Sequence, residues 1–261
     1  MEFEKLRQKN QDLLDKVPTR DREDLSRNQL NAVEIGRRAG LEIGYYAKLR
    51  PDFQAHAQVR DDVFSGMLVS KFDLLIGHKM RAPERRVGAL LQHGHGTPLL
   101  TRVHGRQQPF EQLGVGPAGY DGLQEGLAVL AEYLSGGLSR SRIRVLAARV
   151  VAADQMIRGA SFIETFRMLD RNHEFSQRTA YTITMRTYRG GGLSKDALYL
   201  RGLVEVLEYL ANDGDIDALF VGKIASSHLP MISELRSRKL VTEPALRPHY
   251  LDDPAALARL Q

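Results

Sequence analysis

Three features of the sequence predict a mostly helical α+β protein with one small β-sheet. Apolar residues recur at helical spacing over most of the 261 residues, and one stretch, from Phe53 to Ile76, reads as short strands. Hydrophobic residues make up 43% of the chain, enough to bury a core.

The first 50 residues read as helices, with Leu6, Leu13, Leu14 and Val17 on one and Leu30, Val33, Ile35, Ala39 and Leu41 on the next. Pro51 ends that run, so a helical N-terminal segment, 1–50, precedes a domain over 51–261. The runs "FQAHAQVR" and "FSGMLVSKFDLLIG" supply the strands, and the second suits an edge strand as well as ordinary packing against a helix. After Pro83, which a helix start tolerates, "ERRVGALLQH" puts Val87, Leu90 and Leu91 on one face and runs into His93. The glycine-rich loop Gly114 to Gly119 leads to a helix with Leu123, Leu127, Leu130 and Leu134, ended by Gly136 and Gly137. Further helices are expected at 142–158, 161–170, 195–211, with Ser194 as its N-cap, and 230–238.

The chain has no cysteine, which excludes disulfides and thiolate metal sites and leaves histidine and carboxylate as metal ligands. Charged residues make up 26%, and no run of about 18 apolar residues exists, so no membrane span is expected. The amino terminus "MEFEKLRQKNQDLLDK" lacks the apolar core of a secretory signal, and a cytoplasmic location is expected. The net charge of +5 comes from arginines scattered along the chain without interleaved aromatics. This reads as solvated helix faces rather than a nucleic-acid footprint, and leaves room for a carboxylate-bearing partner.

The stretch "LLQHGHGTPLL" holds His93 and His95. On a helix they would point about 200° apart and share no ion, whereas in a loop they could chelate one. Gly94 and Gly96 each cost about 1 kcal/mol in a helix and Pro98 about 3, so the helix is expected to break near His93. By itself the stretch reads most simply as a turn with two exposed imidazoles.

"TMRTYRGGG" places Arg186 and Arg189 before three glycines. Guanidinium forks suit a carboxylate, although a turn with solvated arginines fits the same residues. Gly190 to Gly192 suit either a close backbone approach to a ligand or a flexible loop. His56, His78, His104 and His173 lack ligand spacing and read as structural or surface residues, and Asp61 and Asp62 as a turn.

"YDGLQEGLAVLAEYL" resembles the motif that names the bacterial QEGLA-motif proteins, also labelled flavohemoglobin expression-modulating proteins. These are similar to the eukaryotic microtubule-associated tyrosine carboxypeptidases. The resemblance runs from "RPDFQAHAQVRDDVFSGMLV" through "RRVGALLQH" and "GTPLLT" to "TYRGGGLSKDALYLRG" and "GKIASSHLPMISEL", roughly residues 50 to 250. It implies a zincin-like metallopeptidase core and zinc-dependent removal of a C-terminal residue from a peptide or protein. One helix would carry His-Glu-x-x-x-His and the QEGLA helix a further glutamate.

Carried over, the first histidine is His93 and the distal glutamate Glu125. The family's general-base glutamate falls on Gly94 and its second histidine on Pro98, so no intact catalytic set is implied. His95 is the only nearby replacement ligand, and Glu132, about 10 Å further along the Glu125 helix, is no ready substitute for the base. The centre alone deviates, which fits either an adapted site or an altered gene segment. Arg189, Arg186, Lys195 and Tyr199 become the substrate-binding candidates. The resemblance thus implies a metallocarboxypeptidase-like protein with impaired activity, or a non-catalytic pseudoenzyme that holds a carboxylate-ended partner. The chain is also shorter than bacterial members are expected to be, which implies a shortened N-terminal helical region.

Overall fold

A computed structural model describes residues 3–18, 28–64, 66–190 and 195–260. The helices are α1 (Phe3–Lys16), α2 (Ala32–Leu49), α3 (Glu84–Leu91), α4 (Thr97–Gln107), α5 (Gln112–Val115), α6 (Tyr120–Leu134), α7 (Arg140–Ile157), α8 (Phe162–Arg167), α9 (Gln177–Tyr188), α10 (Leu198–Ala211), α11 (Leu229–Ser237) and α12 (Pro254–Leu260). The strands are β1 (Gln29–Asn31), β2 (Ala57–Arg60), β3 (Met67–Ser70), β4 (Asp73–Gly77) and β5 (Arg81–Pro83). The protein is therefore mostly helical α+β, as expected. No described helix is long and apolar enough to cross a membrane.

The sheet has the order β2-β4-β3, with β2 parallel and β3 antiparallel to β4. The "FSGMLVSKFDLLIG" run is thus the β3–β4 hairpin, whose turn holds Lys71 at φ 58, and β3 lies at the edge. β4 lies in the middle, and its Leu74 and Ile76 are fully buried. They pack with Ile35 and Ala39 of α2 and with Val87 and Leu91 of α3, which anchors the helix that leads to His93. A second, two-stranded pairing of β1 with β5 adds to the single sheet expected, its strands being too short to show a period of two.

The expected boundary at residue 50 is not where the compact units divide. One unit combines Met1–Leu25 with Ser139–Val204, and the other combines Ser26–Leu138 with Glu205–Gln261. In the first, α1 is tied to α7 by Arg144, a buried guanidinium that donates to the carbonyls of Leu14 (2.5 Å), Val17 (2.6 Å) and His173 (2.5 Å). The second holds the sheet, the histidine stretch and the QEGLA helix α6. The helices expected at 142–158, 161–170, 195–211 and 230–238 all form with shifted ends, the second continuing into a π turn at Met168–Asn172. Ser194, expected as an N-cap, lies outside the described residues.

Candidate functional site

The chain does not break at His93. A π turn, Gln92–Gly96, joins α3 to α4, and the Thr97 N–H donates to the Gln92 carbonyl five residues back. The extra residue per turn puts Pro98 in the first turn of α4, where a missing N–H costs little, and lets both glycines stay helical. A π turn also carries residues i and i+5 onto one face, so positions 93 and 98 share a face here; a regular α-helix would turn them about 140° apart.

α6 supplies the opposite wall. Glu125 and Glu132 are seven residues apart, two helical turns, and lie on the same face. The His93 ring sits between them, with Nδ1 2.9 Å from Glu132 Oε1 and Nε2 3.9 Å from Glu125 Oε2. The Glu132 side chain is 1% exposed and also faces Arg86 at 3.8 Å. Nδ1 faces the Glu132 carboxylate at ion-pair distance without an aligned hydrogen bond, and Nε2 is left on the Glu125 side, so Glu132 is the carboxylate placed to orient the imidazole. Sequence reasoning set Glu132 aside on distance from Glu125. The ring, however, spans the gap, and the i, i+7 spacing was the signal.

His95 is not brought to this pair. It is buried, its Nε2 lies 3.4 Å from the Phe72 carbonyl in the β3–β4 turn, and burial holds its imidazole below the usual pKa. The helical continuation keeps the two histidines on different sides, as the angular argument requires. Gly94 faces the edge strand: a Cβ there would meet only Met67 Cε, at 3.7 Å, so a larger side chain has room to start.

The implied metal can be tested against these donors. A hydrolytic zinc site uses three protein ligands and an open position. His93 and Glu125 supply two, Glu132 is engaged at Nδ1, and position 98 is proline. Among the described residues no three His, Asp or Glu side chains come together as a metal site. The donor set does not fit the three-ligand zinc site.

The substrate-binding candidates lie in the other unit. Arg186 Nε donates to both oxygens of fully buried Asp196, at 2.9 and 3.0 Å, so it is a structural partner in this arrangement. Asp196, missed at the sequence level, also lies 3.9 Å from Arg149. Tyr199 is buried with the Arg149 guanidinium 5.9 Å from its ring centroid. Arg189, at the C-terminal cap of α9, and Lys195 are exposed. Gly190 takes φ 85, while Gly191 and Gly192 lie outside the described residues.

The histidines read as structural are accounted for. His104 is buried, its Nδ1–H donating to the Phe220 carbonyl at 2.7 Å while Nε2 accepts from the Leu246 N–H at 3.2 Å. His56 pairs with Asp73 and His78 with Asp61, and the Arg60–Asp62 pair supports the turn reading of Asp61 and Asp62. His173 is buried beside Arg144, to which its carbonyl is bonded.

Comparison with known proteins bears on the same residues. No curated protein sequence matches. A solved structure of a lipoprotein of unknown function from Shewanella oneidensis is similar in fold, with a TM-score of 0.52 at 11% identity. The match covers 89% of this chain and 54% of that one, so the chain spans about half the length of that relative. The family described as microtubule-associated tyrosine carboxypeptidase matches residues 3–261. With the match running over nearly the whole chain, the protein belongs to the microtubule-associated tyrosine carboxypeptidase family.

Proposed function

We propose that the chain is a degenerate metallocarboxypeptidase, a member of its family in which release of a C-terminal residue from a peptide or protein is lost or strongly impaired. The helix bearing His93, the edge strand β3 beside Gly94 and the carboxylates of α6 support a zincin-like reading of this unit. One observation carries the loss: the row Glu125, His93, Glu132 is in place, while positions 94 and 98 offer neither a carboxylate nor an imidazole. Positioned acid–base chemistry alone is worth about 100- to 10,000-fold, and loss of a metal ligand adds to that.

A peptide ending in tyrosine, incubated with the chain and zinc and followed by mass spectrometry, tests this. No release is expected from the natural chain, and turnover lost in His93→Ala would overturn the proposal. A non-catalytic role in holding a carboxylate-ended partner is the second reading, favoured by the exposure of Arg189 and Lys195. It predicts that the same peptide binds more tightly than its C-terminal amide, and that Arg189→Ala removes the difference.

A further inference from the structure

Beyond the histidine row, a separate pocket in the same unit collects positive charge. It has a volume of about 430 Å³ and is lined by Arg102 and Arg106 of α4, Glu111, Lys223 and the backbone at Gly105 and Gly114. Elsewhere on the chain several exposed or half-buried arginines find carboxylates: Arg50 pairs with Asp52, Arg60 with Asp62, Arg236 with Glu243 and Arg247 with Asp217. Arg102, Arg106 and Lys223 have no such ion pair among the described residues.

Their charges are instead held by rings. The guanidiniums of Arg102 and Arg106 lie 5.0 and 4.9 Å from the centroid of the same ring, Phe72, and the Lys223 ammonium lies 5.0 Å from that of Tyr120. Arg102 Nε is buried without a hydrogen-bond partner, a donor that native proteins rarely leave unmet. Gln108, the other polar group of the lining, is already engaged with the carbonyls of Val221 and Thr242 and the N–H of Thr242. Burial, and then the charge of Arg102, hold the Lys223 ammonium below its usual pKa.

We propose that this pocket binds a small molecule bearing a phosphate monoester. Three cations face one lining carboxylate, Glu111, with the charge of Asp121 acting on Lys223 from beside the pocket, so the lining keeps an excess of positive charge. A phosphate monoester carries about −1.5 to −2 at neutral pH and brings three acceptor oxygens to the three cations, whereas a carboxylate brings −1 and two. Guanidinium forks suit the phosphate oxygens. The proposal is independent of the peptidase reading, since it uses no residue of the histidine row.

Titration calorimetry of the full chain with inorganic phosphate at low ionic strength tests it, with acetate as the carboxylate comparison. Saturable binding near one phosphate per chain is expected, with acetate weaker by about tenfold or more. Arg106→Gln, at an exposed position, and Arg102→Gln, with a native circular dichroism spectrum, should each weaken phosphate binding by about tenfold. No saturable phosphate binding, equal affinity for acetate, or unchanged affinity in the folded Arg106→Gln protein would overturn the proposal.

Discussion

Replacing Glu132 by alanine removes the carboxylate that His93 Nδ1 contacts at 2.9 Å, on a side chain that is 1% exposed. It also takes away a carboxylate that faces Arg86 at 3.8 Å. Removing one partner of a buried charged pair costs about 3–5 kcal/mol, since the remaining groups keep their desolvation penalty. Glu132→Gln keeps the volume and an acceptor oxygen and gives up only the charge, so about 1–2 kcal/mol is expected. Urea unfolding followed by circular dichroism at neutral pH measures both. A double-mutant cycle with His93→Ala should return a coupling of about 0.5–3 kcal/mol, as befits groups in contact. An alanine variant within about 0.5 kcal/mol of the parent, a typical surface value, would refute the buried row and with it the orienting role of Glu132.

Two further outcomes concern parts of the fold distant from that row in sequence. Burial pushes the His104 imidazole down to about 4, below its unfolded value near 6.5, so the folded state favours the neutral ring. The stability this gives is complete above about pH 6.5 and is lost as pH falls through about 4, an effect of about 3 kcal/mol. Urea midpoints measured from pH 7 to 4 should fall accordingly, and His104→Gln should flatten that slope. Arg144→Ala leaves the carbonyls of Leu14, Val17 and His173 without their shared donor. A loss of about 3 kcal/mol or more is expected, with α1 becoming the first site of limited proteolysis; a protease-resistant α1 would contradict the tie to α7.

The long amphipathic helices and the β3–β4 hairpin were legible because apolar periodicity and turn residues agree there. The π turn was not, because Gly94, Gly96 and Pro98 each argue against a helix on local propensity. Packing of His95 and Gly96 in the interior, together with the place of Pro98 in the first turn of α4, outweighs that propensity. The same turn decides the site, since it separates His95 from His93 while keeping position 98 on the His93 face. Glu132 was hidden for a different reason: distance along one helix was compared, whereas the imidazole bridges two turns of it. The division into units was illegible because no change of composition marks residues 25, 138 or 204, and because one unit is built from two separate segments.

The zinc content of the protein, measured by elemental analysis after dialysis against zinc-free buffer, tests the central claim most directly. The natural chain, with two donors, should retain almost none. Gly94→Glu with Pro98→His should retain about one zinc per chain, since position 94 has room beside Met67 and the π turn puts position 98 beside His93. Near one zinc in the natural chain, lost in His93→Ala, would contradict the account and show that a complete site forms without an imidazole at position 98.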